Sequence, residues 1–521
     1  MSGVARAAAI LDRLHASGCR ELVVCGGSRN APLVAAAAAR ERMRSWNFFE
    51  ERSAAFFALG RIRASSRPVA VITTSGTAAA ELLPAAVEAH YSGLPLILVT
   101  ADRPARHRGT GAPQAIEQRD LFGPYAAFVE IDDGDAALPA WRRDGPLHVN
   151  VPFDEPLLDG RVPPAAEAAA IPTGELPLLD PGRSATRIDT FIRESSRLLV
   201  IAGALEPAER IAVRDLARRI GAPLLAEPLS GLREDPALAH LILRAGERSL
   251  DAETLDGVLR IGGIPTARFW RDLDERLRVP VLSCSRLPFS GLPRGEHLRC
   301  DLADTLSRVD APQRENAALL TRDAALAQRM DAVLESEPAS EPALFRALSR
   351  AIPAGSLVFL GNSLPIREWD LFARYDRPFV YGASRGANGI DGQVSSFLGM
   401  AEPERENWCV VGDLTALYDL AALWVAPQLD PALSVRIVVV NNGGGRIFGR
   451  VPSLRAVDAA SRERLFENPH EIGFEPWARM WGFDYVPTLR ERIASTRTVI
   501  EIRPDAASSE RVWKALDEIS A

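Results

Sequence analysis

At 521 residues the chain is too long for one hydrophobic core, and at roughly 150 residues per domain it predicts three or four domains. A net charge of −7, with basic residues scattered among acids, argues against a nucleic-acid surface, and no apolar run approaches the roughly 20 residues of a membrane span. Cys19, Cys25, Cys284, Cys300 and Cys409 never form a C-x-x-C pair and read as buried thiols, while the seven histidines lack the H-x-x-x-H or H-E-x-x-H spacing of a zinc site.

Lys514 is the only lysine, in a segment (ERVWKALDEIS) that reads as a surface helix. Walker-type phosphate binding and Schiff-base catalysis therefore lack a candidate, and arginine must supply the cationic contacts.

In chain order, the first eighteen residues carry Arg6, Asp12 and Arg13 within an apolar pattern. They predict an amphipathic helix in place of a secretion signal, and so a cytoplasmic protein. Strand-like runs at Leu22–Cys25, Pro68–Thr73, Leu94–Thr100 and Leu147–Val151 alternate with Ala-rich helical segments, which predicts a doubly wound parallel sheet over residues 1–160. Polar loops follow these runs: Gly26-Gly27-Ser28-Arg29, Thr73-Thr74-Ser75-Gly76-Thr77, and Ala101-Asp102-Arg103-Pro104. Gly76 permits close approach to a ligand, and Arg103 suits bidentate binding of a carboxylate.

Between them, Glu50 and Glu51 stand directly before a helical pattern with an aromatic face, Phe56 and Phe57. Two roles compete here. One is a helix start where acids complement the dipole; the other is a carboxyl group with a raised pKa, held among apolar side chains for proton transfer.

A Pro-, Ala- and Leu-rich passage beginning at Pro156 lacks periodicity and reads as a linker, 161–189. A second α/β block, 190–312, has strand candidates at Leu198–Ala202, Leu224–Ala226, Gly257–Ile261 and Val279–Ser283, and looks poor in converging polar groups. A helical stretch, 313–352, leads into a third block ending at 521, with strands at Leu357–Leu360, Phe379–Tyr381, Cys409–Val411, Val435–Val440 and Thr498–Ile502.

Two of these strands end in polar turns, Gly412-Asp413-Leu414 and Asn441-Asn442-Gly443-Gly444-Gly445, with residues 415–440 between them. In a parallel sheet such turns gather beyond the carboxyl ends of the strands. Aspartate, asparagine amide and glycine backbone together suit a hard cation that bridges two phosphates.

These segments resemble the thiamine-diphosphate enzymes, and within them the menaquinone-pathway synthases that join 2-oxoglutarate to isochorismate. The resemblance covers about 21–156 and 356–450 and rests on GSRNAPL at 27–33, EERSAAFFALG at 50–60, TTSGTAAAELLPA at 73–85, TADRP at 100–104, GNSLPIR at 361–367, SRGANGIDG at 384–392, GDLTALYDL at 412–420 and NNGGGRIF at 441–448. It implies three doubly wound α/β domains with largely parallel sheets: a pyrimidine-binding block, a central domain and a diphosphate-binding block. It also implies a site shared between subunits of a homodimer or homotetramer.

By the same resemblance Glu51 activates thiamine diphosphate, while Asp413, Asn442 and the Gly444 carbonyl hold Mg²⁺ or Mn²⁺. Ile390 is similar to the residue that bends the cofactor, and Gly76, Thr77, Ser363, Gly389, Leu414, Ile447 and Phe448 are further cofactor positions. Ser28, Arg29, Arg103, Gln114, Arg367 and Arg385 match positions for the carboxylates of the two substrates, with Arg268 where the family has a lysine. The implied reaction decarboxylates 2-oxoglutarate and adds the four-carbon fragment to isochorismate by 1,4-addition.

Three positions depart from the pattern. Leu414 replaces the third glycine of the general signature but matches these synthases, Gly26 stands where proline is usual, and Pro113 replaces an asparagine expected at the substrate. Two other readings remain at this point: a related ligase acting on pyruvate, and a catalytically silent relative kept for binding. Multiple arginines argue against the first, and retention of Glu51 with Asp413 and Asn442 argues against the second.

Overall fold

The computed structural model describes residues 1–132, 140–174, 177–251, 254–275, 278–489 and 495–520. Glu21–Cys25 (β1), Arg44–Phe48 (β2), Val69–Thr73 (β3), Leu96–Asp102 (β4), Ala127–Glu130 (β5) and Leu147–Pro152 (β6) form one sheet in the order 2-1-3-4-6-5. Leu198–Ala202 (β7), Leu224–Ala226 (β8), Gly257–Ile261 (β9), Val281–Ser285 (β10) and Glu296–Arg299 (β11) form a second, in the order 8-7-9-10-11. The third contains Leu357–Leu360 (β12), Val380–Gly382 (β13), Asn407–Gly412 (β14), Val435–Val440 (β15), Asp484–Val486 (β16) and Arg497–Ile502 (β17), ordered 13-12-14-15-17-16.

Every pairing within these three sheets is parallel, as alternation of short apolar runs with helices requires. In the first and third sheets the strand order reverses between the first strand and its second neighbour, β1/β3 and β12/β14. Loops after those strands therefore diverge and leave a crevice at the carboxyl edge. Glycine-rich turns follow β1, β3, β12, β14 and β15 there.

The first and last blocks meet through two helices, Glu51–Ser65 and Gln393–Met400, which cross at glycines. A Cβ on Gly60 would lie 2.0 Å from the Ser396 carbonyl oxygen, and one on Gly399 would lie 2.1 Å from that of Phe57. Phe56, Phe57, Val394, Phe397 and Leu398 are buried in a single apolar core around this crossing. Glu51 and Asp413 are thus carried by elements of one packed unit.

Two expectations need correction. The passage 161–189 is not a bare linker, because Pro181–Glu194 is a helix: Asp180 accepts from the Arg183 N–H, proline occupies the first turn, and Ile188, Phe191 and Ile192 are buried. The stretch before it is strapped onto the first block, where the Asp159 carboxylate accepts from the N–H groups of Gly3 and Val4, and Ile171 is buried. The central block, for its part, is not poor in polar convergence. Buried Arg233 donates to the carbonyls of Asp370 and Ala373, and buried Glu234 accepts from the Tyr381 hydroxyl, so it docks on the last block through polar groups.

The amino-terminal helix forms at Gly3–Ala16, all five cysteines are buried, and Lys514 is exposed on the helix Ala506–Ser520. Among the described residues no helix is long and apolar enough to cross a membrane.

Candidate active site

The adjacent acids at the start of the Glu51–Ser65 helix divide the two roles that the sequence left open. Glu50 is the N-cap: its carboxylate accepts from the N–H groups of Arg52 and Ser53 at 2.9 and 3.0 Å. Glu51 follows as the first residue of the helix and is not the cap. Its half-buried carboxyl is pushed above the ordinary glutamate value by burial, with the charges of Glu50 and Glu81 adding to the shift and its own backbone N–H opposing it.

Nearby in the first block, Gly76 has φ +85°, a conformation that favours glycine, and its N–H donates to Gln118 Oε1 at 2.9 Å. A Cβ there would lie 3.1 Å from Gln114 Cα, so Gln114 sits against this turn, with Thr77 exposed beyond it. A buried network holds the turn. Gln118 Nε2 donates to Asn150 Oδ1 and the Ala101 carbonyl, and Asn150 Nδ2 donates to Asp102.

Arg29 is buried, donates to the Phe153 carbonyl at 3.0 Å and pairs with Glu155 at 3.5 Å; its pKa is lowered by burial and then by the nearby charge of Arg103. Arg103 donates to the Pro113 carbonyl at 2.8 Å. Two cations from separate loops therefore lie close together beside exposed Ser28, an arrangement that attracts an anionic ligand. Pro113 contributes its carbonyl, a contact that needs no side-chain amide.

In the last block, Asp413 opens a short helix at the end of β14. Its Oδ1 accepts from the Leu414 N–H at 2.6 Å, and its Oδ2 from those of Gly443 and Gly444 at 2.9 Å each. The glycine amides therefore converge on Asp413 itself. Burial raises the Asp413 carboxyl, and these N–H groups oppose the shift. Gly443 and Gly444 have φ +78° and +133°; a Cβ on Gly444 would lie 2.4 Å from the Glu467 carbonyl oxygen.

Asn441 and Asn442 differ in how their amides are held. Asn441 Nδ2 donates to Glu501 and the Ile472 carbonyl, while its Oδ1 accepts from Gly443 at 3.3 Å. Asn442 Nδ2 lies 3.1 and 3.0 Å from the two oxygens of Glu341, but its buried Oδ1 has no partner among the described residues. A buried amide oxygen without a hydrogen-bond partner is a polar group that the fold itself does not explain. With Asp413 and the Gly444 carbonyl, which also accepts from the Arg446 N–H, it offers oxygen donors of the kind that could hold a hard cation such as Mg²⁺ or Mn²⁺. Leu414, Ile447 and Phe448 surround this turn, with Phe448 edge-on to Phe466.

The loop after β12 adds Ser363, at φ +75°, whose carbonyl accepts from Arg367 Nη1 at 2.7 Å. Asn362 organises its surroundings: Oδ1 accepts from Arg385 Nη1 at 2.8 Å, and Nδ2 donates to the carbonyls of Ser384 and Gly389. Gly389 and Ile390 are thereby fixed beside Arg385. Burial lowers the Arg385 pKa to about 10, and its Nε has no partner among the described residues, leaving a donor for an anion. Arg268 lies on the central helix Arg268–Glu275, paired with Asp272 at 3.1 Å.

Asn362, Gln118, Asn150, Glu88 and Glu341 escaped the sequence reading, because each acts on a loop distant in the chain. His470 did too: its Nε2 lies 3.3 Å from Asp413 Oδ2 without hydrogen-bond alignment.

Residues 5–121 match the family described as "Thiamine pyrophosphate enzyme, N-terminal TPP binding domain". The chain is 44% identical to a protein of Bdellovibrio bacteriovorus, with 99% of each chain covered. It is 40% identical to one of Akkermansia muciniphila over 96% of each, and 35% identical to one of Geobacillus thermodenitrificans over 98% of this chain and 95% of the other. All three relatives bear the name 2-succinyl-5-enolpyruvyl-6-hydroxy-3-cyclohexene-1-carboxylate synthase.

Proposed function

The chain belongs to the 2-succinyl-5-enolpyruvyl-6-hydroxy-3-cyclohexene-1-carboxylate synthase family of thiamine-diphosphate enzymes, and from that premise we propose how its own residues run the reaction. The reaction joins 2-oxoglutarate, with loss of CO₂, to isochorismate by 1,4-addition. Thiamine diphosphate, when bound, supplies the electron sink for the decarboxylation and the nucleophilic carbon for the addition.

Asp413 and Asn442, with the Gly444 carbonyl, would hold Mg²⁺ or Mn²⁺, which would supply positive charge for the diphosphate. Glu51 holds a proton against the cofactor's pyrimidine nitrogen, a task suited to a carboxyl whose pKa burial has raised. Gly76, Thr77, Ser363, Gly389, Ile390, Leu414, Ile447 and Phe448 line the cofactor space and exclude water from it. Both substrates carry two carboxylates, and Ser28, Arg29, Arg103, Gln114, Arg367 and Arg385 grip them, with Arg268 approaching from the central block. Three units serve these roles: 1–160 for the pyrimidine, a central domain that begins with the Pro181–Glu194 helix and runs to 312, and 313–521 for the diphosphate and metal.

A second copy of the chain completes the site, giving a homodimer or homotetramer. Exposed apolar side chains beside the two half-sites support this: Phe49 and Trp424 pack edge-on at 4.9 Å, with Tyr418 and Leu420 nearby in sequence, all four substantially open.

The observation that carries the metal site is the unpartnered, buried Asn442 Oδ1 in the turn that caps Asp413. Purified protein given Mg²⁺, thiamine diphosphate, 2-oxoglutarate and isochorismate releases CO₂ and forms the adduct. Absence of turnover with this set overturns the reading.

A further inference from the structure

We propose that Glu341 is a positioning residue that turns the side-chain amide of Asn442 so that its oxygen, and not its nitrogen, faces the metal. The inference rests on the reading of Asn442 as a metal ligand and adds the reason why that asparagine can serve as one.

An asparagine amide is nearly symmetric in shape and opposite in chemistry at its two ends: the oxygen accepts or ligates, and the NH₂ group only donates. A cation is bound at one end and repelled at the other. Something must therefore choose the rotamer. A carboxylate is acceptor-only, so whichever end of the amide meets it must be the NH₂. Glu341 places both carboxylate oxygens on Asn442 Nδ2, at 3.1 and 3.0 Å, and the opposite end, Oδ1, is the buried atom without a partner. Turning the amide over would set oxygen against oxygen at Glu341 and offer N–H groups to the cation.

The preceding residue shows the same device with a different outcome. Asn441 Nδ2 is held by Glu501 at 2.8 Å, but its oxygen is occupied by the Gly443 N–H. Each asparagine of the pair thus has its own glutamate, and of the two only the one held by Glu341 keeps an oxygen without a partner among the described residues.

Glu341 is itself fixed from outside the cradle. It is the first residue of the helix Glu341–Ala351 and is buried, and its N–H donates to Ser509 Oγ at 2.9 Å. Ser509 in turn donates to the Asp505 carbonyl at 2.7 Å, and the Asp505 N–H donates to the Ala339 carbonyl. The carboxyl-terminal helix therefore braces the glutamate that aims the ligand. An acid at a helix start is ordinarily a partner of the helix dipole. Here the carboxylate reaches away to a side chain 101 positions further on.

The test is Mn²⁺ affinity of the full chain with thiamine diphosphate, read by electron paramagnetic resonance of free Mn²⁺, with thermal melts run alongside. Glu341→Gln brings an amide that can accept from the Asn442 NH₂ group or donate to its oxygen, so orientation is lost, and Mn²⁺ affinity falls by about 10- to 100-fold, the usual effect of removing a ligand's outer partner. Asn442→Asp supplies an oxygen at both ends and needs no orienter. Alone it faces the Glu341 carboxylate, but combined with Glu341→Gln it meets an amide that can donate to it. The double variant E341Q/N442D therefore binds Mn²⁺ more tightly than either single variant.

Wild-type affinity in Glu341→Gln, or a double variant no tighter than the singles, overturns the proposal and leaves Glu341 a helix-start residue. Should Glu341→Gln fail to fold, the comparison of N442D with E341Q/N442D decides by the same criterion. Wild-type Mn²⁺ affinity in Asn442→Ala is a separate result, and removes Asn442 from the ligand set.

Discussion

Glu88, on a helix of the first block, accepts a hydrogen bond at 3.0 Å from the backbone N–H of Gly386, 298 residues further along and next to Arg385. The Ala387 N–H donates to the other oxygen at 2.8 Å, and a Cβ on Gly386 would lie 2.5 Å from the Glu88 carbonyl oxygen. The loop that carries Arg385 is therefore held by the first block of the same chain. Glu88→Ala leaves two N–H groups without their acceptor, at about 1–3 kcal/mol each if they stay buried. Steady-state kinetics should show a raised KM for isochorismate, with thiamine-diphosphate affinity changed far less.

Glu51→Gln is expected to bind thiamine diphosphate and Mg²⁺ while losing most turnover, as measured by calorimetry and CO₂ release. The same variant carries a stability signature. Burial raises the Glu51 pKa in the folded chain, so the folded state binds the proton more tightly than the unfolded one. Its contribution therefore declines as pH rises from the ordinary value near 4.5 through the raised value, and the penalty is complete above that. Glu51→Gln should melt higher than wild type at pH 8, and the difference should vanish below about pH 4.5.

Gly60→Ala and Gly399→Ala each force a methyl group into a carbonyl oxygen across the helix crossing. Overpacking of this kind costs typically about 1–3 kcal/mol. Both variants should melt earlier, and because the crossing joins the helix that begins at Glu51 to the block that contains Asp413, cofactor affinity should fall with stability. Alanine at Gly355, which has nothing within 4 Å of its Cβ but a φ of +79°, should affect the melt without touching cofactor affinity.

Dialysis against a chelator should abolish turnover, with recovery on adding Mg²⁺ or Mn²⁺. Asp413→Ala should not recover at any attainable metal concentration, and should also loosen the Gly443-Gly444 turn whose N–H groups it accepts.

Arg385 has a buried Nε with no hydrogen-bond partner among the described residues. Arg385→Ala should lower kcat/KM for the dicarboxylate substrates by about 10- to 100-fold, the equivalent of one charged hydrogen bond at about 1.5–3 kcal/mol. Comparison of CO₂ release from 2-oxoglutarate and pyruvate in this variant tests whether the arginines set substrate choice.

The strands legible in the sequence are those with continuous apolar runs, such as Val435–Val440 and Leu198–Ala202, because strands buried on both faces need them. Arg44–Phe48, Ala127–Glu130, Glu296–Arg299 and Asp484–Val486 went unread, and each lies at the edge of its sheet. An edge strand is half covered; in Arg44–Phe48 only Trp46 and Phe48 are buried. The Pro181–Glu194 helix was hidden by its proline start, which reads equally as a loop.

In the site, residues on turns after strands were visible as motifs, since glycine, aspartate and asparagine cluster there. Their holders were not. Glu88, Glu341 and Asn150 carry no local signature, and Asn362 lies within a quoted motif that gives no hint of its partners; only the folded chain brings them to the loops that they fix.

Lys514 is the only side-chain amine in the chain, and it stands exposed on the helix whose Ser509 braces Glu341. An amine-reactive fluorophore therefore reaches one side chain, a few residues from the outer end of the metal cradle's support. Chemistry that in most proteins labels many side chains here labels one, besides the α-amine, and that one is placed to register whether the carboxyl-terminal helix shifts as the cation enters.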